Sequence, residues 1–191
     1  MKILIIGVPR SGTTSFLNCF KNYKLFDEPL NSFSKQGNTI KSFYNLIKKK
    51  NIVVKTMSDH TPIDWKGDKL LFNFSIIPHF DRVILLDRKN IKEQEKSYHR
   101  VLDLALKTVE GFTEKTHKNA IKSLYLQKYL LREIADKFNL DINYYEDIYY
   151  GDSKYLFENL KIDLNEIDFN LLDSKNKYTE NVHYQPPKPL I

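Results

Sequence analysis

Met1-Lys2-Ile3-Leu4-Ile5-Ile6-Gly7-Val8-Pro9-Arg10-Ser11-Gly12-Thr13-Thr14-Ser15 opens the chain, and its reading decides the fold. The unbroken aliphatic run at residues 3–6 predicts a strand buried on both faces, because a strand with one wet face would alternate apolar and polar residues. Gly7 and Gly12 then stand in the spacing G-x-x-x-x-G, and residues 14–21 predict a helix directly behind them. A glycine-rich turn between a strand and a helix is the context that a phosphate-binding loop requires. Backbone N–H groups and a helix N-terminus converge there on one anion, and the helix dipole favours negative charge. Gly7 and Gly12 let the backbone approach that anion closely. The hydroxyls of Ser11, Thr13, Thr14 and Ser15 offer further donors.

Outward from this stretch, similar apolar runs recur at residues 52–54 and 83–86, with a weaker one at 142–145. Helical periodicity separates them. Residues 39–49 carry Ile40, Phe43, Tyr44 and Ile47 on one stripe. Asn90, with Glu93 three residues later, reads as the cap of a helix reaching about residue 106. A longer helix over residues 114–138 turns Ile121, Leu124, Tyr125, Leu131, Ile134 and Phe138 toward a core. Strand and helix alternate, so the expected class is α/β: a three-layer sandwich around a mostly parallel sheet with right-handed crossovers. Residues 1–191 read as a single domain without internal repeats. The proline-rich residues 185–191 read as a flexible tail or a strap.

Composition narrows the partners. The 191 residues carry a formal charge of +6, which favours anionic ligands. The 30 basic residues are scattered and matched by 24 acidic ones, so no nucleic-acid stripe is expected. Cys19 is the one cysteine, which excludes an internal disulfide and fits a reducing, cytoplasmic setting. The apolar start is too short for a signal peptide, and no stretch has the length to span a bilayer. Heavy use of Lys, Asn, Ile and Tyr points to an AT-rich microbial or viral genome. His79, His99, His117 and His183 are widely spaced and form no ligand pattern with Cys19, so no metal is expected.

The loop departs from the ATPase pattern at one position. A Walker NTPase places Lys after the second Gly to reach the β- and γ-phosphates, followed by Ser or Thr for magnesium. Here Thr13 takes the place of that Lys, and the cation sits earlier, at Arg10. A donor with no γ-phosphate and no obligatory metal needs one cation near a single phosphosulfate. Pro9-Arg10-Ser11-Gly12-Thr13-Thr14 resembles the 5′-phosphosulfate loop of the PAPS-dependent sulfotransferase superfamily. The fuller string from Gly7 is similar to that of tyrosylprotein and bacterial-type sulfotransferases.

The resemblance implies a P-loop fold, PAPS as donor with PAP as product, and a hydroxyl-bearing acceptor such as a glycan, a small molecule or a peptidyl tyrosine. It also implies a 3′-phosphate anchor, an Arg after the third strand and a Ser on the next helix. Arg88 and Ser97 match that pattern, with an interval one residue longer than in the animal cytosolic branch. Tyr144-Tyr145-Glu146-Asp147-Ile148 resembles a Y-E-D-L segment common in the family. It puts Tyr145 near the adenine and leaves Glu146 and Asp147 as braces. Residues 175–178 offer a late cationic strap or a solvated lysine pair.

Sulfuryl transfer needs a cation for charge growing on the bridging oxygen and a base for the acceptor proton. Arg10 suits the first role, since a guanidinium stays charged. Lys55, at a strand end, resembles a second cation of several branches. Cytosolic relatives carry a K-T-H string there, but this chain reads Lys55-Thr56-Met57 and lacks that His. Glu28 stands near the place of the tyrosylprotein branch's Glu and becomes the candidate base, against the reading of an exposed loop carboxylate. Asp59 and His60 are its alternatives. Two other functions remain open: a P-loop nucleotide kinase or NTPase without its Lys, for which Asp87 is the candidate magnesium ligand, and a non-catalytic domain that binds nucleotide or anionic glycan.

Overall fold

The computed structural model describes residues 1–31, 38–108 and 113–172. Strand β1 (Lys2–Gly7) is the centre of a five-stranded sheet, flanked by β3 (Ile52–Met57) and β4 (Arg82–Asp87). Strand β2 (Lys24–Asp27) lies outside β3, and β5 (Ile142–Tyr144) outside β4, giving the order β2-β3-β1-β4-β5. Every pairing is parallel, with Leu4 opposite both Val54 and Val83. The first strand therefore sits between the third and fourth. The chain leaves β1 in one direction and later returns to its other side, so the C-terminal strand ends open onto a crevice at that switch.

Helices cover both faces. Leu4, Ile6, Val54 and Leu85 point to one core, closed by α2 (Ile40–Ile47), α3 (Lys69–Ile76) and α5 (Glu114–Phe138) through Phe43, Phe72, Leu124 and Leu131. Ile3, Ile5, Val53 and Ile84 point to the other, closed by α1 (Thr13–Asn18), α6 (Tyr145–Tyr150) and α7 (Ser153–Asn159) through Phe16, Ile148 and Phe157. Alternate residues of one strand thus feed opposite cores, which is why the run in β1 has no polar break. The fold is the expected three-layer α/β sandwich. The helix α4 (Ile91–Thr108) starts where Asn90 Oδ1 accepts from Glu93 N, as its cap predicts, and runs slightly beyond the expected end.

Several boundaries differ from the sequence expectation. The helix after the loop stops at Asn18 rather than continuing to 21, because Phe20 bridges Ile167 and Lys21 N donates to the Glu166 carbonyl. Tyr145 is the first residue of α6, not the end of a strand. Strand β2 and helix α3 have no counterpart in the expectation. Residues 175–178 and 185–191, with His183, lie outside the described residues. Among the described residues no helix is long and apolar enough to cross a membrane.

Candidate functional site

The loop between β1 and α1 is held from both sides. Val8 N donates to Leu86 O at the end of β4, and Ser58 N donates to Gly7 O. A Cβ on Gly7 would stand 2.2 Å from Thr13 Cγ2, so only glycine lets the loop close on its own helix. Gly12 has φ 77°, and a Cβ there would lie 2.5 Å from Tyr149 Cε2 and 2.8 Å from Tyr145 Cδ2. The aromatic pair of α6, ring centroids 4.5 Å apart, therefore presses directly against the loop, and Tyr149 OH donates to Gly12 O at 2.7 Å. Gly12 caps α1 without a side-chain bond, which leaves the first amides of the helix free of a capping acceptor.

Arg10 also adopts a left-handed backbone, φ 66°, which costs a non-glycine residue energy and is kept because neighbours fix it. The fixing comes from α4. Gln94 Nε2 donates to Pro9 O at 2.8 Å, and Ser97 Oγ accepts from Arg10 Nε at 2.9 Å. Residues three apart on one helix face thus hold consecutive residues of the loop. The Arg10 guanidinium is lowered from its ordinary pKa, first by partial desolvation and then by the nearby charge of Arg88. Two guanidiniums this close, with partial desolvation, favour an anion between them.

The hydroxyls divide. Ser11 is fully buried, and both its Oγ (2.6 Å) and its amide (3.2 Å) donate to Val8 O, so it shapes the loop from inside. Thr13 is buried as well. Thr14 is exposed, Ser15 is half-buried, and Thr14 Oγ1 accepts from Lys55 Nζ at 3.1 Å.

Lys55 is 1% exposed and gathers three oxygens: Thr14 Oγ1, Asp27 Oδ1 at 2.6 Å and Glu28 Oε1 at 2.7 Å. Glu28 is not the solvated loop carboxylate of the alternative reading. Its φ of 47° folds it back, and Asn31 Nδ2 donates to its other oxygen at 3.1 Å. Burial works to raise its pKa, but the charge and hydrogen bond of Lys55 outweigh burial and leave it below the ordinary carboxylate value. His60 and Asp59 stand beside this pair. Burial holds the His60 imidazole below its ordinary pKa, against the carboxylates of Glu28 and Asp59, which raise it. Asp59 Oδ2 accepts from Ser123 Oγ at 3.1 Å, whereas Asp59 Oδ1 and His60 Nδ1 are buried with no hydrogen-bond partner among the described residues. Tyr98 lies close by, and its phenol is raised first by burial and then by Asp59 and Glu28.

Arg88 lies with its guanidinium 4.8 Å from the Tyr145 ring centroid and 3.6 Å from Glu146 Oε1. Its Nε is buried without a hydrogen-bond partner among the described residues. Glu146 accepts from the amides of Lys89 (2.9 Å) and Asn90 (3.2 Å), so it braces the start of α4 as expected. Arg88 and Ser97 make no direct bond; each reaches the loop separately, through Tyr145 and Arg10.

Sequence reasoning missed Lys128. It is buried on α5, and its Nζ donates to Asp87 Oδ1 at 2.6 Å, Gln94 Oε1 at 3.0 Å and Arg88 O at 3.2 Å. Through Gln94 this cation fixes Pro9 O and the whole turn. It also occupies Asp87, the residue a kinase of this fold would need for magnesium. The available signal was a lysine inside the apolar stripe of Leu124, Leu131 and Ile134. Among the described residues no group of three or more His, Cys, Asp or Glu is placed to hold a metal.

No protein-family profile matches the chain, and no curated protein matches it. Among solved structures, it is similar to the YorR protein of Bacillus subtilis, solved in complex with phosphorylated GDP. That likeness has a TM-score of 0.43 and 13% identity over 75% of this chain and 84% of that one.

Proposed function

We propose that this chain is a PAPS-dependent sulfotransferase, moving a sulfuryl group to a hydroxyl acceptor by in-line displacement. The observation that carries the reading is the pairing of an arginine-bearing loop, with Arg10 set by Ser97, with a buried Lys55–Glu28 pair beside Thr14. The residues fit such a donor: the Arg88 guanidinium, near Arg10 and only loosely paired with Glu146 at 3.6 Å, can turn to a second phosphate, and Asp87 is engaged by Lys128 rather than free for a cation. PAPS supplies the sulfuryl group, and PAP is the leaving product. The chain's residues supply the rest. Arg10 and the first amides of α1 hold the 5′-phosphate side, while Arg88 and Ser97 stand toward the 3′-phosphate. Lys55, close to Thr14, offsets charge growing on the bridging oxygen. Glu28 takes the acceptor proton, which requires Lys55 to loosen its hold as charge shifts toward the donor.

The deciding experiment is thermal unfolding with PAP in the absence of magnesium. A ligand that binds only the native state raises the melting temperature by an amount that grows with the logarithm of its concentration over Kd. We expect a saturable rise with PAP in EDTA, together with transfer of labelled sulfate from PAPS to an acceptor panel. A rise with ATP that depends on magnesium, and none with PAP, would replace this reading with that of a P-loop kinase or NTPase.

A further inference from the structure

The structure contains a second cationic cleft that the loop does not use. It has a volume of about 580 Å³ and lies at the C-terminal ends of β4 and β5, against α5, walled by Arg88, Lys89, Lys128, Arg132, Tyr125 and Tyr144. The loop helix α1 packs on the opposite face of the sheet, with Tyr145 and Ile148, whereas Ile91 and Leu124 belong to the α5 face. Arg88 stands between the two sites. Its guanidinium lies over Tyr145, toward the loop, and its carbonyl accepts from Lys128 in the cleft.

Four lining residues are cationic and one, Asp87, is anionic, and Asp87 is already neutralised by Lys128 at 2.6 Å. Lys89 is paired with Asp147 but exposed, with its ammonium 5.4 Å from the Tyr144 ring centroid. Arg132 is exposed on α5 and makes no ion pair or hydrogen bond among the described residues. The cleft therefore has an uncompensated guanidinium at its mouth. One aromatic wall is tied down, the Tyr125 hydroxyl donating to Glu95 on α4, and the other, Tyr144, ends β5 with its ring beside the Lys89 ammonium. An inorganic anion would leave both rings unused, and an uncharged aromatic would leave Arg132 unpaired.

We propose that this cleft binds a nucleoside monophosphate, its phosphate on Arg132 and Lys89 and its base between Tyr125 and Tyr144. The proposed contacts, Arg132, Lys89, Tyr125 and Tyr144, are not those of the donor reading; Arg88 borders both sites, so the variants that separate the two avoid it.

The test is calorimetric titration of the full chain with AMP in EDTA, alongside inorganic phosphate and adenosine. AMP is expected to bind about tenfold more tightly than either fragment, because only AMP engages both halves of the cleft. Arg132→Gln and Tyr144→Ala should each weaken AMP about tenfold and leave the PAP-induced thermal shift unchanged; Arg10→Ala should do the reverse. Arg132 is an exposed helix position, so its variant folds. Saturable AMP binding that ignores Arg132 and Tyr144 but is lost in Arg10→Ala overturns the cleft and leaves the loop reading intact. Absence of AMP binding overturns the cleft as well. Loss of the PAP shift in the unmodified chain, with AMP binding kept, overturns the loop reading alone.

Discussion

Lys55 Nζ and Glu28 Oε1 lie 2.7 Å apart, and the pair ties together the ends of two neighbouring parallel strands. Asp27 stands in register with Lys55, and Glu28 N donates to Lys55 O at 2.8 Å. The turn after β2 therefore brings two successive carboxylates to one buried ammonium. A cation so enclosed cannot be left alone, because desolvation of an unpaired charge costs more than its pairing returns.

Glu28→Gln keeps the shape but removes one of the two charges facing Lys55, and its single amide oxygen can accept from Lys55 or from Asn31, not from both. Asp27 remains, so the loss of stability is expected at about 1–2 kcal/mol rather than the full cost of an orphaned charge. Urea unfolding measures it. Transfer should fall about a hundredfold or more if Glu28 is the base, with PAP affinity within about twofold. Wild-type turnover in the variant would move the base elsewhere.

The pair also sets a pH dependence of stability. The folded pKa of Glu28 is lowered relative to its unfolded value. Its contribution is thus complete above the ordinary carboxylate pKa of about 4.3 and is lost as pH falls through the lower folded value. The Glu28→Gln variant should lose less stability than the parent between neutral pH and about pH 3. Parallel curves for the two proteins would deny the coupling.

Lys128→Met leaves the Asp87 carboxylate, 3% exposed, without its cation and frees Gln94 from the network. A broken buried pair of this kind costs about 3–5 kcal/mol. The double variant Lys128→Met with Asp87→Asn removes both charges and should recover a substantial part of that loss. A double variant as unstable as the single one would show that the network acts through something other than charge.

Much of this arrangement is legible in the sequence, and the remainder has identifiable reasons. Strands β1, β3 and β4 announce themselves because both faces are buried and each holds an unbroken aliphatic run, which in β3 covers residues 52–54 ahead of Lys55. Strand β2 does not: of Lys24, Leu25, Phe26 and Asp27 only Phe26 is buried, the pattern of an edge too short to show alternation. Helix α3 hides because Leu70, Leu71, Phe72, Phe74 and Ile76 crowd apolar residues all round it, with Asn73 buried among them. Its one clear mark is the cap, Asp68 accepting from Leu70 N and Leu71 N. Tyr145 follows an aromatic strand and reads as its continuation, yet Glu146 and Asp147 behind it are the acids of a first helical turn. The loop, Arg10 and Lys55 are visible because spacing and position define them. The partnership of Asp87 with Lys128 is not, since it joins residues 41 apart through packing that no local pattern encodes.

Gly12→Ala tests the loop geometry itself. The added methyl meets Tyr149 and Tyr145 at distances that force a shift, on a backbone at φ 77° that alanine disfavours. A loss of about 2–3 kcal/mol follows, together with a weakened PAP response. Tyr149→Ala added to it should relieve the closer of the two clashes while leaving the Tyr145 contact and the backbone cost, so the double variant should lose less than the sum of the singles. Strict additivity would mean that the rings and the loop are not in contact.

The identity of the base is settled by the acidic limb of the pH–rate profile. Glu28 acts as a base only when ionised, and Lys55 keeps it ionised to below the ordinary carboxylate pKa. With Glu28 as base, kcat/KM is flat from neutral pH down to about pH 5 and falls only below the carboxylate range. His60 also acts only when neutral, and burial lowers its pKa from its usual value, so it too would give an acidic limb. The His60→Ala variant separates the two: activity kept within about threefold, with the acidic limb unmoved, assigns the proton to Glu28. A limb that is present in the parent and vanishes in that variant gives the role to His60, with Glu28 then serving to hold Lys55 beside Thr14.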